Sequence, residues 1–114
     1  MRKTFLICPV RGHSQSETES IVTNLESQGW QVHWPPRDTR QDDPTGLQIC
    51  VTNREAIASA ECVHVVWDGQ SRGCLFDLGM AFAMKKPVTV INLPPATVGK
   101  SFQNMIAAWC NGVT

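Results

Sequence analysis

Short apolar runs and longer amphipathic stretches take turns along this chain from end to end. Thr4-Phe5-Leu6-Ile7-Cys8 is a continuous apolar run of the kind that fills a strand buried on both faces, and Pro9 stops it. Ser14 and Glu17 form a capping-box pattern, so a first helix is predicted from there to about Gln28. It turns Ile21, Val22 and Leu25 inward, with Gly29 as its stop. Trp30 to Trp34 alternates as a second strand, read as an edge strand, and Pro35-Pro36 ends it. Residues 37–45 are polar and turn-rich, a loop that reads either as a lid over a site or as a solvated connection. A second helix is expected over Gly46 to Ala60, with Ile49, Ile57 and Ala60 in the core. Val63 to Trp67 is a third buried strand, closed by the polar turn at Asp68-Gly69. Leu75, Leu78, Ala81, Phe82 and Met84 then recur at helix spacing, and Lys85-Lys86-Pro87 closes that helix. Pro87 to Leu93 is a fourth strand, Pro94-Pro95 a stiff turn, and Ser101 to Cys110 a last helix with Phe102, Ile106 and Trp109 on one face.

Strands alternating with helices imply a small doubly wound α/β domain of the Rossmann or flavodoxin-like kind. It would have a parallel sheet of four to five strands, helices on both faces and right-handed crossovers. One domain spanning residues 1–114 is expected, with the strand order 2-1-3-4. That order puts the switch point between strands one and three, where open α/β sheets bind ligands beyond the strand C-termini. Two strand-to-helix loops meet there. The first is Cys8-Pro9-Val10-Arg11-Gly12; the second is Asp68-Gly69-Gln70-Ser71-Arg72-Gly73, with Asp77 one turn into the following helix. Backbone N–H groups, Ser71 and Arg11 would suit an anion. The plainer reading makes Ser71 an N-cap, Arg11 a surface arginine and Asp77 a solvated helix acid.

Composition narrows the field. Ten basic and ten acidic residues give a formal net charge of zero, so no basic field exists for tracking a nucleic-acid polymer or an anionic membrane. No apolar segment approaches membrane-spanning length, and the first residues lack a signal-peptide pattern, so a soluble cytoplasmic protein is expected. Cys8, Cys50, Cys62, Cys74 and Cys110 form no C-x-x-C pair and no zinc-ligand spacing with His13, His33 or His64. Reduced, mostly buried thiols are expected, with no metal and no cofactor. A Cys8–His13 nucleophilic pair has no local support.

Ser71-Arg72-Gly73 with Phe76-Asp77-Leu78-Gly79-Met80-Ala81 and Lys86-Pro87-Val88 resembles the nucleoside 2-deoxyribosyltransferase family. Cys8-Pro9-Val10-Arg11-Gly12 is similar to the first loop of its relatives that hydrolyse nucleoside 5′-monophosphates, and Asn104-Met105-Ile106 to the family's C-terminal stretch. The resemblance implies cleavage or transfer at an N-glycosidic bond, by a carboxylate that attacks the anomeric carbon as in retaining glycosidases. Asp77 falls on the nucleophilic Glu, one methylene shorter. Ser71 and Gly73 fall on residues that hold the sugar or 5′-phosphate, and Cys8, Pro9, Arg11 and Gly12 on the phosphate loop. The family's acid near the end of the second helix corresponds to Arg54, with Glu55 beside it, so Asp68 or Glu55 is the candidate acid–base partner. The resemblance also implies a homodimer with shared sites, in which Gln103 or Asn104 approaches the partner's crevice.

Three readings follow from these residues. In the first the chain is an enzyme, a hydrolase or transferase acting on a nucleoside or nucleotide. The second is a nucleotide-binding or sensing module of the same fold without turnover. The third is a scaffold whose loop motifs serve only as caps.

Overall fold

The computed structural model describes residues 2–10 and 15–112, so Arg11, Gly12, His13 and Ser14 lie outside the described residues. Its elements are β1 (Arg2–Ile7), α1 (Gln15–Ser27), β2 (Trp30–His33), α2 (Pro35–Asp38), α3 (Leu47–Ser59), β3 (Cys62–Val66), α4 (Arg72–Ala83), β4 (Val88–Asn92) and α5 (Phe102–Cys110). The strands pair in parallel in the order β2-β1-β3-β4, the expected order, with a register irregularity between β3 and β4 at Val65/Val66.

Period-two alternation along β1 sorts the core into two layers. Phe5 and Ile7 join Val63, Val65, Ile57 and Leu78 under α3 and α4, and α5 adds Ile106 and Trp109 to that cluster. Leu6 and Cys8 face the other way, toward Val22 and Leu25 of α1, with Val32 and Trp34. The last helix therefore turns Ile106 and Trp109 into its own core and leaves Phe102 and Met105 exposed.

Two local features depart from the sequence pattern. Pro35-Pro36 does not simply end β2. It opens the one-turn helix α2, where a missing N–H costs nothing at N1 and the fixed φ is already helical. Asp38 Oδ2 accepts from the Trp34 N–H at 2.9 Å and so closes that turn on its entry residue. The lysines after α4 also do a different job from the one expected. Lys85 takes the left-handed conformation (φ 57°) that ends the helix, while Lys86 Nζ donates to Ala58 O and Ala60 O, both at 2.8 Å. Its charge thus sits at the C-terminal end of α3, where the helix dipole favours a cation.

Candidate active-site crevice

The second strand-to-helix loop is built by Asp68 and Gly69. Asp68 Oδ1 accepts from the backbone N–H of Gln70 (2.8 Å) and of Ser71 (2.9 Å), an Asx turn that folds the loop back after β3. Gly69 stands at φ 81°, and a Cβ there would meet Pro94 Cγ at 3.0 Å, so a side chain would be both strained and crowded. Ser71 is the N-cap of α4, its Oγ accepting from the Cys74 N–H at 3.2 Å. Trp67 Nε1 donates to Ser71 O at 3.1 Å and ties the loop to the end of β3.

This loop closes one side of a crevice of about 440 Å³ at the C-terminal edge of the sheet. Cys8 and Val10 contribute from the end of β1, Pro35 and Gln41 from the segment after β2, and Ile49, Cys50 and Asn53 from α3. Asp68, Gln70, Ser71, Arg72, Gly73, Cys74, Phe76 and Asp77 complete it. The position is the switch point between β1 and β3. A larger depression of about 660 Å³ between Phe82 and Trp109 lies beside Pro87 and Val88, at the start of β4 and away from these polar groups.

Asp77 is half-buried in the crevice. Burial pushes its carboxyl up from 3.8 to about 7, and the Asn53 side chain beside it in the crevice pulls the other way. Asn53 is in turn bonded through Oδ1 to Thr39 Oγ1 at 2.7 Å. Cys8 and Cys74 are buried thiols beside the same carboxyl, both pushed up to about 12 chiefly by desolvation. They are neutral at physiological pH and line the site without offering a nucleophile. The buried Trp34 Nε1 has the soft Cys8 thiol as its neighbour, and lowers that thiol's pKa against the larger effect of burial.

The other residues singled out from the sequence fall as follows. Pro9 is fully buried and stands outside the lining of the crevice. Glu55 is exposed on α3 and does not line the crevice. Two residues beyond Asn53, it points about 200° away around the helix. Arg54 is likewise exposed. Asn104 has its side chain engaged at home: Oδ1 accepts from the Thr97 N–H at 3.0 Å, and Nδ2 donates to Thr97 O (2.7 Å) and Gly99 O (2.6 Å). Gln103 Nε2 likewise reaches Pro95 O at 3.3 Å. Both staple the segment before α5 within the one chain. Among the described residues no group of three His, Cys, Asp or Glu side chains could hold a metal ion.

Asn53 and Thr39 are the residues sequence reasoning missed. The signal for Asn53 was present: it sits midway between Ile49 and Ile57 at four-residue spacing, a polar side chain on the inward stripe of α3.

The four-stranded, all-parallel α/β sheet with its helices matches the nucleoside deoxyribosyltransferase fold, as two solved structures show. The CMP N-glycosidase BcmB of Clostridium botulinum superposes with a TM-score of 0.68 at 19% identity, over 96% of this chain and 82% of that one. A 2-deoxyribosyltransferase from the psychrotolerant bacterium Bacillus psychrosaccharolyticus gives 0.69 at 16% identity, over 97% and 90%. At these identities the likeness is one of fold. No family model and no curated protein matches the sequence.

Proposed function

We propose that the crevice binds a nucleoside or nucleoside 5′-monophosphate and that Asp77 cleaves its N-glycosidic bond. The observation that carries this reading is the Asp77 carboxyl itself, held in a largely apolar crevice at the switch point with one amide donor against it. Both solved neighbours are named for chemistry at that bond. In the reaction, a carboxylate oxygen of Asp77 bonds to the anomeric carbon as the C–N bond breaks. The base leaves with the electron pair and takes up a proton, and water or a second base then displaces Asp77 from the sugar. The apolar lining strengthens the attraction between the carboxylate and the oxocarbenium-like charge at that carbon.

Of the acid–base candidates, Asp68 lies in the crevice wall and Glu55 outside it, so Asp68 is the one retained for the leaving base. The backbone N–H groups of Arg72 and Gly73 at the start of α4, with the Ser71 hydroxyl, suit the sugar or its 5′-phosphate. Arg11 and Gly12, the phosphate-loop residues that the resemblance implies, lie outside the described residues. A homodimer is part of the same reading, and its contact would use exposed side chains such as Phe102 and Met105 on α5.

A second reading, binding without turnover, is favoured by one feature. A carboxyl titrating near 7 is half protonated at neutral pH and is as well suited to hydrogen-bonding a ribose hydroxyl as to attack. Incubation with a panel of nucleosides and 5′-monophosphates, with free base followed by chromatography, separates the two. The proposal expects base release that Asp77→Ala abolishes while nucleotide affinity is nearly kept. Saturable nucleotide binding by the wild type with no base released selects the binding module. Base release that survives Asp77→Ala removes the nucleophile.

A further inference from the structure

We infer that His33, Thr39 and Asn53 form a one-way hydrogen-bond chain that holds the Asn53 amide N–H against the Asp77 carboxylate, so that Thr39 and His33 are positioning residues for that carboxyl. The three residues come from β2, the segment after α2 and α3, and nothing in their sequence spacing joins them. His33 Nε2 lies 2.7 Å from Thr39 Oγ1, and Thr39 Oγ1 lies 2.7 Å from Asn53 Oδ1. Thr39 is 3% exposed and Asn53 5%, so water does not substitute for either contact.

The direction of the chain follows from donor and acceptor capacity. A threonine hydroxyl has one proton to give, and Asn53 Oδ1 takes it. The Thr39 oxygen then accepts from His33, which fixes the imidazole proton on Nε2. With Oδ1 engaged by Thr39, the Asn53 group that faces Asp77 is the Nδ2 amide. Reversing that amide would put Oδ1 against the ionised carboxylate, costly in a dry setting, and would turn the Thr39 proton back toward His33 Nε2. Every donor therefore points toward Asp77, and each bond polarises the next.

With Asp77 ionised, the groups around the two ends leave this direction intact. On the Asp77 side the titratable or charged groups lining the crevice are Cys8 on the β1 side, Cys50 on α3, Arg72 and Cys74 on α4 and Asp68 in the loop, and the Cys8 and Cys74 thiols are neutral. On the His33 side Phe5 stacks on the ring at 5.2 Å, and Asp38, Arg37, Lys3 and Glu26 line the depression onto which it opens. Burial lowers the His33 pKa, with Asp38 opposing and Arg37 reinforcing, so the ring is neutral near pH 7. A protonated ring would still donate from Nε2. The chain's job is thus to favour the ionised form of Asp77 against the burial that disfavours it.

The catalytic meaning of this rests on the function proposed above, but its test does not need turnover. Carbon-13 NMR of labelled carboxyl groups in the full chain follows the Asp77 midpoint directly, assigned by its loss in Asp77→Asn. In Thr39→Val the Asn53 amide is free to reverse, and the midpoint should rise by about one pH unit or more. Thr39→Ser restores the hydroxyl and should return it to the wild-type value. His33→Phe keeps the stack on Phe5 while removing the donor, and should raise the midpoint by less; His33→Gln, which carries an N–H at similar reach, should reverse that rise. A wild-type midpoint in Thr39→Val or in His33→Phe overturns the chain, as does a Thr39→Ser shift equal to that of Thr39→Val. If Thr39→Val does not fold, the His33→Phe and His33→Gln pair decides by the same criterion. Loss of the predicted base release with these midpoints as expected would sink the proposed reaction and leave the chain standing.

Discussion

The ionisation of Asp77 has a consequence for stability that requires no substrate. Its carboxyl sits at 3.8 in the unfolded chain and at about 7 in the fold, because burial disfavours the charge. A decade in proton affinity corresponds to about 1.4 kcal/mol, so a fully desolvated group with this displacement would account for about 4 kcal/mol. Asp77 is only half-buried and opens onto the crevice, and screening by water there reduces the figure to about 2 kcal/mol. Because the folded state binds the proton more tightly, this stability is complete below pH 4, falls as pH rises, and is gone above about 7. Asp77→Asn keeps an acceptor for the Asn53 amide but cannot ionise. Urea unfolding of both proteins at pH 4, 5, 6, 7 and 8, under reducing conditions, should show the wild type losing about 2 kcal/mol relative to the variant across that range. His33 and His64, both lowered by burial, act in the opposite sense but are present in both proteins and cancel. Parallel pH profiles would refute the reasoning, since they would mean that the carboxylate is as well solvated in the fold as out of it.

Three further outcomes are expected. With Asp77 as nucleophile, base release should climb with pH through about 7 and level off above it; a rate that falls over that range would mean that the protonated carboxyl is the working form. Gly69→Ala places a side chain at φ 81° and 3.0 Å from Pro94 Cγ, and should cost about 1 to 3 kcal/mol in thermal or urea unfolding; an unchanged midpoint would show that the loop has room to shift. Light scattering at micromolar concentration should report a dimer that Phe102→Asp dissociates, and a wild-type monomer would remove the dimer from the proposal.

How much of this was legible from the residue pattern differs between elements. Buried strands announce themselves because a strand covered on both faces is apolar almost throughout, as Phe5 to Cys8 are at every position and Val63 to Trp67 at all but His64. The strand order then follows from right-handed crossovers and short connections, which admit few alternatives. The Ser71 cap, the Gly29 and Gly46 helix ends and the crevice wall at Asp77 were readable for the same reason: each is decided by the chemistry of a few neighbouring residues. The pairings of polar side chains were not. His33, Thr39, Asn53 and Asp77 lie on four segments and meet only because β2 sits beyond β1 while α3 crosses back over it. Glu55 and Asn53 are two residues apart in the chain, yet helix rotation sends one to solvent and the other to the crevice. Asn104 carries a side chain fit for a partner's site, but three backbone groups between Thr97 and Gly99 take up its oxygen and amide first. Local periodicity determined the elements of this protein; the tertiary structure decided which polar groups meet, because a hydrogen bond depends on ångström distances that strand order and register set.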